Sequence, residues 1–431
     1  MRTVFSEEKF SRTEWSRAWR VTDDDVLHGA AVMTSREGQA YAGDAVGGYG
    51  RVLAAGKLAM PRIPVVEIRH LSAAQLKALR IADNKLGQNS HWDERLLGES
   101  LLELQTMECD FDLSITGFSL PEIDLAIQKL SDPVVADPDD DIGSETGVAV
   151  CRIGDVWELG PHRIYCGDAT TEQAFTCLMK DERAQIVFTD PPYNVRIDGH
   201  ASGKGKVRHR EFAQGAGEFS RDQFIEFLTK VCTQLKACAT DGSIHFVCMD
   251  WKHLDELLTT GRAVYTELKN IVVWAKSNAG MGSLYRSQHE LICVFKSGSG
   301  PHVNNVKLGK NGRNRTNVWE YASASTQARK GNNVLKLHPT VKPVSLVMDA
   351  LLDCSNRGDL VLDCFLGSGT TLLAAERTGR ICRAIELDPL YVDTAIRQWQ
   401  NFTGSAAIRM SDGKLFREIE AEIEKEKENH E

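Results

Sequence analysis

The stretch Ala184–Tyr193 reads AQIVFTDPPY. An apolar, β-branched run is halted by two consecutive prolines. Neither can donate a ladder hydrogen bond, so a strand must end at Asp190 and the chain must leave its sheet there. Such an ending presents a carboxylate, the Pro191 carbonyl and the Tyr193 ring together. Open α/β sheets take ligands at this carboxyl edge. Two adjacent acceptors, Asp190 Oδ and the Pro191 carbonyl, suit an exocyclic amine with two N–H bonds, and Tyr193 offers a stacking face for a planar base. The plainer alternative is a proline-stiffened loop whose Asp caps the following helix.

The surrounding region alternates short β-type runs with amphipathic stretches. Strands are expected at 162–168, 184–190, 243–249, 270–276, 290–296, 359–365 and 381–387, with helices such as RDQFIEFLTKVCTQLKA and VSLVMDALLDC between them. The alternation predicts an α/β class with a mostly parallel seven-stranded sheet. A 42% hydrophobic content allows a large core, and 431 residues suggest two or three domains.

Ser131–Thr146 carries six acids, no base and two prolines. Such a segment cannot bury apolar surface and extends by self-repulsion. We read 131–147 as a linker between an N-terminal domain, 41–130, and a catalytic region, 148–405. In the first, helices are expected over 51–60, from Ser72 onwards and over 92–107, with a strand over 63–68. Residues 1–40 show no clear periodicity and stay unassigned. The charged tail, 406–431, spaces Leu415, Ile419 and Ile423 four apart. This suits a helix docking one stripe on the fold; the alternative is a short coil that pairs two copies as a homodimer.

A second motif, DCFLGSGTT at Asp363–Thr371, again lies between an apolar strand and a helix. Glycines there let the backbone approach a ligand closely. The Gly-Lys-Ser/Thr ending of a triphosphate loop is missing, and only two of the three dinucleotide-fingerprint glycines are present. Glu386, twenty-three residues after Asp363, ends the next strand, where an acid accepts ribose hydroxyls. The combination points to an adenosine-bearing cofactor without requiring a pyrophosphate.

On these residues the chain from about 150 to 405 resembles the DNA amino-methyltransferases, which use S-adenosylmethionine to methylate adenine N6 or cytosine N4. Asp190-Pro191-Pro192-Tyr193 is similar to their catalytic motif and Phe365-x-Gly367-x-Gly369 to their cofactor loop. The catalytic motif comes first, as in the circularly permuted β group. His338-Pro339-Thr340-Val341-Lys342-Pro343 is similar to that group's motif at the methionine end of the cofactor, and Gly167-Asp168 to its adenine contact. The resemblance spans roughly 60% of the chain and implies a Rossmann-like methyltransferase fold. It implies that Asp190 and the Pro191 carbonyl hold the target amine, with Pro192 shaping the motif and Tyr193 stacking the extruded base. Phe365, Gly367, Ser368 and Gly369 would form the cofactor loop. Thr370 and Lys342 would address the methionyl carboxylate, Glu386 the ribose and Asp168 the adenine amine. Asp at the first motif position implies adenine N6, with cytosine N4 the nearest alternative. The substrate implied is double-stranded DNA, with the base flipped out before transfer.

Residues 41–130 resemble the small α+β ParB/sulfiredoxin-like domain fused to such enzymes, in GGYGRVLAAGKLAM, IPVVEI, LRIADNKLGQNSHWDE and ITGFSLPEIDLAI. Tyr49 stands where that family usually has His, and the family's preceding strand–helix–strand portion is not recognisable in 1–40; these departures point to a DNA-docking or structural module rather than a nuclease. A different class altogether would be a ParB-like DNA-binding protein with a vestigial catalytic half.

DNA contact requires positive charge, and the formal net charge is −9. That total conceals 300–337, where Lys307, Lys310, Arg313, Arg315, Arg329, Lys330 and Lys336 face Glu320 alone, a net of +6. We read this as a target-recognition insert whose Lys307, Lys310, Arg313 and Arg315 contact DNA. Neutralising Arg313 and Arg315 is expected to weaken DNA binding and flatten its salt dependence. The basic, Gly-rich stretch 200–210 is a second candidate.

The eleven cysteines include no Cys-x-x-Cys pair, which suggests reduced, buried thiols and no metal site. No run approaches the roughly 18 apolar residues of a membrane span. The charged N-terminus lacks a signal peptide's apolar stretch, so a cytoplasmic location is expected.

Overall fold

The computed structural model describes residues 31–33, 45–47, 65–67, 94–106, 116, 118–128, 130, 149–195, 214–277, 279, 284–306, 315–321 and 342–428. The chain divides into two compact units, Met1–Ser131 and Asp132–Glu431. In the first, β1 (Ala31–Met33) pairs antiparallel with β2 (Ala45–Gly47) and parallel with β3 (Val65–Glu67). Strand β3 falls in the run expected at 63–68, and β1 in the unassigned N-terminal segment.

Helices α1 (Glu94–Thr106) and α2 (Leu120–Gln128) follow, with Leu101 and Ile123 buried. Gly98 lets α1 approach closely, since a Cβ there would lie 2.6 Å from the Ala126 carbonyl oxygen. The Ser119 N–H and hydroxyl both donate to Glu122 at 2.7 Å, which holds that carboxyl below its usual range. The helices expected over 51–60 and from Ser72 lie outside the described residues.

The second unit is built on a mixed ten-stranded sheet. Its strands are β4 (Val156–Leu159), β5 (His162–Cys166), β6 (Ala184–Thr189), β7 (Ala239–Met249), β8 (Glu267–Lys276), β9 (His289–Lys296), β10 (Val318–Tyr321), β11 (Leu360–Asp363), β12 (Ile381–Glu386) and β13 (Ile408–Arg409). Their order is β10-β8-β9-β7-β6-β11-β12-β5-β4-β13. All seven expected strands form, but the expected seven-stranded, mostly parallel sheet is corrected in two respects. The short strands β4, β10 and β13 extend its two edges, and β4 and β9 run against their neighbours. Connection length explains the first reversal: the Gly160–Pro161 turn that joins β4 to β5 is too short for the crossover that parallel pairing needs. Strand β9 pairs antiparallel with both β8 and β7. The central strands β7-β6-β11-β12-β5 are parallel.

Helices cover both faces. On one side lie α3 (Glu172–Met179), α4 (Arg221–Ala237) and α5 (Leu254–Val264); on the other, α6 (Val344–Cys354), α7 (Thr370–Thr378), α8 (Pro389–Thr403) and α9 (Phe416–Glu428). Successive strand residues serve opposite faces: Ile186 and Phe188 of β6 join the α6–α9 core, Val187 the α3–α5 core. That double burial is why these strands read as continuous apolar runs.

Local signals set the helix starts. Ser220 and Gln223 form a reciprocal capping box on α4, and Asp388 caps α8 ahead of Pro389. Phe416 and Ile419 of α9 are buried, with Phe416 edge-on to Trp157 at 5.4 Å. The apolar stripe of the tail thus packs within the chain. Cys248, Cys293, Cys364 and Cys382 are buried free thiols. Among the described residues, no helix is long and apolar enough to cross a membrane.

Strand β6 leads through α4 to β7 on one side, and β11 leads through α7 to β12 on the other. Since β6 and β11 are paired neighbours, the order reverses between them. The carboxyl ends of strands at such a reversal form the crevice where open α/β sheets bind ligands.

Candidate active site at the sheet switch point

The two sequence motifs meet at this crevice. Thr189 Oγ1 donates to Asp363 Oδ1 at 2.9 Å, and the Phe365 N–H reaches the same oxygen at 3.0 Å. Asp363 therefore ties the end of β6 to the loop after β11. Burial pushes its carboxyl up to about 6, against the hydrogen bonds from Thr371, Phe365 and Thr189.

On the β11–β12 side, Gly367 (φ 56°) and Gly369 (φ 106°) adopt the left-handed conformation that favours glycine. The space beside Gly367 is open, whereas a Cβ at Gly369 would press on Ala395 at 3.0 Å. Glu386, closing β12, accepts the Gly367 N–H on Oε2 and the Asp388 N–H on Oε1, each at 2.8 Å. Burial pushes its carboxyl up to about 7, aided by the charges of Asp388 and Asp363. The Gly167 N–H donates to the Glu386 carbonyl at 2.8 Å and so brings Asp168 alongside. Asp168 accepts the Thr170 N–H at 2.8 Å and the Gln214 amide at 3.1 Å. Ser368 is buried, and Thr370 Oγ1 lies 3.5 Å from the Lys342 carbonyl. The Phe365 ring tilts against Phe227 at 6.0 Å, which stacks on Phe219 at 5.5 Å. All the cofactor-loop residues singled out from sequence thus surround one edge of the crevice.

On the β6 side, Pro191 is buried, Pro192 and Tyr193 are partly so, and both Asp190 oxygens are engaged. Tyr193 OH donates to Oδ1 at 2.6 Å, and Lys342 Nζ donates to Oδ2 at 2.5 Å. The same ammonium lies 2.9 Å from Glu290 Oε2 and 3.1 Å from Tyr193 OH. Lys276 binds the other Glu290 oxygen. Burial alone would lower the pKa of Lys342, but Asp190 and Glu290 overcome it and hold the ammonium protonated. Likewise burial would raise Glu290, but Lys342 and Lys276 hold it below the ordinary carboxylate range. Burial, Asp190 and Glu290 together push the Tyr193 phenol up.

Lys342, expected to address the methionyl carboxylate, has its ammonium buried between two protein carboxylates, the pairing that a buried charge requires. Glu290 and Lys276 escaped the sequence reading, although each sits where a polar residue ends an apolar strand. Gln214 on Asp168 escaped it too, as did the Phe219–Phe227 stack.

Arg315 also departs from expectation. Its Nη1 lies 2.8 Å from Asp349, its Nε 2.9 Å from Asp353, and its guanidinium 4.6 Å over the Trp319 ring. This inward lock is not the open presentation that a phosphate contact needs. Lys307, Lys310, Arg313, the stretch 200–210 and His338–Val341 lie outside the described residues.

A paired strand switch carrying Asp-Pro-Pro-Tyr on one side and a glycine loop on the other defines a class. Residues 184–397 match the family model of DNA methylases of N6/N4 type, so the chain carries a DNA methyltransferase domain of that type. Residues 95–153 match a ParB-methyltransferase HTH domain, a stretch that begins inside the N-terminal domain and runs across the acidic segment.

Among curated relatives, the chain is 26% identical over 230 residues to the type II methyltransferase M.HinfI of Haemophilus influenzae, covering 50% of this chain and 62% of that protein. It is 27% identical over 258 residues to the type II methyltransferase M1.MboII of Moraxella bovis, covering 54% and 94%. Among solved structures, the M1.HpyAVI–SAM complex aligns with a TM-score of 0.40 at 20% identity, over 55% of this chain and 97% of that one.

Proposed function

We propose that this chain is an S-adenosylmethionine-dependent DNA methyltransferase, of the permuted β group, that methylates adenine N6 on a base flipped from double-stranded DNA. The observation that carries this reading is the meeting of Asp190-Pro191-Pro192-Tyr193 and the Gly367/Gly369 loop on adjacent parallel strand ends. The residues present suit the cofactor. Glu386 offers carboxylate lone pairs to a ribose diol, Asp168 an acceptor for an adenine amine, Phe365 an apolar wall and Gly367 an open backbone. Once bound, S-adenosylmethionine supplies a methyl group carried on a sulfonium.

Asp190 and the Pro191 carbonyl hold the target amine by its two N–H bonds and aim its lone pair, while Tyr193 offers the base a face. The amine nitrogen gains the methyl group and releases one proton, and the electrons of the broken carbon–sulfur bond stay on sulfur. An exocyclic amine is a weak nucleophile, so positioning and fixed charge supply the acceleration. Lys307, Lys310 and Arg313 are proposed to contact the DNA backbone.

The test is incubation of mixed-sequence duplex DNA with the protein and methyl-labelled S-adenosylmethionine, followed by nucleoside chromatography. Label in N6-methyl-2′-deoxyadenosine is expected. Label in N4-methylcytosine would move the target to cytosine, and retained DNA binding without label would favour a DNA-binding protein with a vestigial catalytic half.

Glu386 adds a pH dependence. Its carboxyl titrates at about 7 and must be ionised to accept both ribose hydroxyls. Cofactor affinity is therefore expected to rise about tenfold from pH 6 to pH 8, and Glu386→Gln to flatten the profile at weak affinity. Calorimetric titration across this range measures it; a Glu386→Gln variant with wild-type affinity throughout the range would remove Glu386 from the ribose site.

A further inference from the structure

As the site stands, the amine clamp is shut. Asp190 Oδ1 accepts from Tyr193 OH and Oδ2 from Lys342 Nζ. A target amine must therefore compete with these two donors for the Asp190 lone pairs, and it binds best where one of them withdraws. Lys342 is 4% exposed, and leaving a buried ammonium unpaired is strongly unfavourable. Withdrawal therefore requires a second acceptor already within reach of both donors.

Glu290 is that acceptor. Its Oε2 lies 2.9 Å from Lys342 Nζ and 3.3 Å from Tyr193 OH. Its Oε1 is fixed by Lys276, and the residue stands at the foot of β9, paired with Trp274 of β8. Lys276 Nζ and Lys342 Nζ lie 4.7 and 5.8 Å from the Trp274 ring centre, so the indole flanks both ammoniums. Two carboxylates and two ammoniums balance in charge. A small shift of Lys342 from Asp190 toward Glu290 therefore separates no net charge.

We propose that Glu290 is a positioning residue that opens the amine clamp: it takes over the Lys342 ammonium and the Tyr193 hydroxyl when the target amine claims Asp190. This rests on the methyltransferase reading above. Glu290 itself touches neither base nor cofactor, and it lacks the neighbouring proline carbonyl that makes Asp190 a two-acceptor clamp. Its effect is to keep Lys342 paired in both states, so that exchange at Asp190 is open to a neutral amine.

The test is single-turnover methyl transfer by the full chain on duplex DNA, with cofactor affinity measured in parallel. Glu290→Gln is expected to lower the transfer rate roughly 10–100-fold while cofactor affinity stays within about twofold. Glu290→Asp, which keeps the charge, restores most of the rate. Lys342→Met also slows transfer, but adding Glu290→Gln to it costs nothing more, because no ammonium remains to be moved. That comparison needs no folded Glu290→Gln single variant, and the double variant keeps the cluster's charge balance.

A Glu290→Gln rate equal to wild type would overturn the proposal, as would losses that multiply in the double variant. A wild-type chain that transfers no methyl group to any DNA would instead overturn the methyltransferase reading, and the proposal with it.

Discussion

Asp190→Ala is expected to lower methyl transfer at least ~10³-fold, with cofactor affinity preserved. The substitution deletes one of two acceptors that hold the target amine, and nothing nearby replaces it. Glu290 sits within 2.9 Å of Lys342, but no proline carbonyl stands beside it to complete the pair. The cofactor edge is untouched, because Glu386, Asp168 and the Gly367 turn hang from β12, β5 and β11 rather than β6. The fold should survive, since Lys342 and Lys276 both retain Glu290. Asp190→Asn is the sharper companion variant. It keeps the shape and one acceptor oxygen but adds N–H donors facing the donors of the target amine, so an intermediate loss is expected. Single-turnover transfer of labelled methyl groups, beside calorimetric cofactor binding, measures both. An Asp190→Ala protein retaining more than about a tenth of the wild-type rate would remove the amine clamp from the mechanism.

The legible parts of this chain are those where one residue type admits a single backbone reading. Pro191 and Pro192 had to end a strand, and β6 does end at Thr189; the glycines of the second motif marked the loop between a strand and a helix, and the left-handed turn at Gly367 and Gly369 emerges only in the structure. Strands β6, β7, β9, β11 and β12 were legible because burial on two faces gives each a largely apolar run. The short strands β4, β10 and β13 lie toward the sheet's edges and carry no such run. The reversal of β9 was hidden as well, because composition does not encode strand direction.

Charges were the least legible feature. Glu290 and Lys276 end apolar strands as a solvated residue would, and they become a buried pair only through the order β8-β9-β7-β6. Arg315 stood in a run of cations, which suggested a DNA-facing surface. Its partners Asp349 and Asp353 lie on α6, beyond the reach of any local pattern.

Arg315→Ala is therefore expected to act on stability rather than on DNA. The guanidinium lies 2.8 Å from Asp349 and 2.9 Å from Asp353, donates to Tyr321 OH at 3.1 Å and covers the Trp319 ring. Burial alone would lower its pKa, but the two carboxylates raise it, so it stays charged at any working pH. Asp349 and Asp353 have side chains only 13% and 7% exposed. Removing the cation leaves two like charges together in a poorly solvated place. Breaking a buried pair from one side costs about 3–5 kcal/mol, and partial exposure of Arg315 places the expected loss near the lower end. Arg315→Lys should recover only part, because one ammonium cannot span both carboxylates and lie flat on Trp319.

The damage would spread toward the site, since Arg315 ties edge strand β10 to α6, and α6 begins directly after Lys342-Pro343. Urea unfolding measures the first effect. DNA binding at several salt concentrations, under conditions where the variant stays folded, measures the second. There the salt slope of Arg315→Ala should match wild type, while Arg313→Ala should reduce it by about 1. A reduced slope for Arg315→Ala together with wild-type stability would return this residue to the DNA surface.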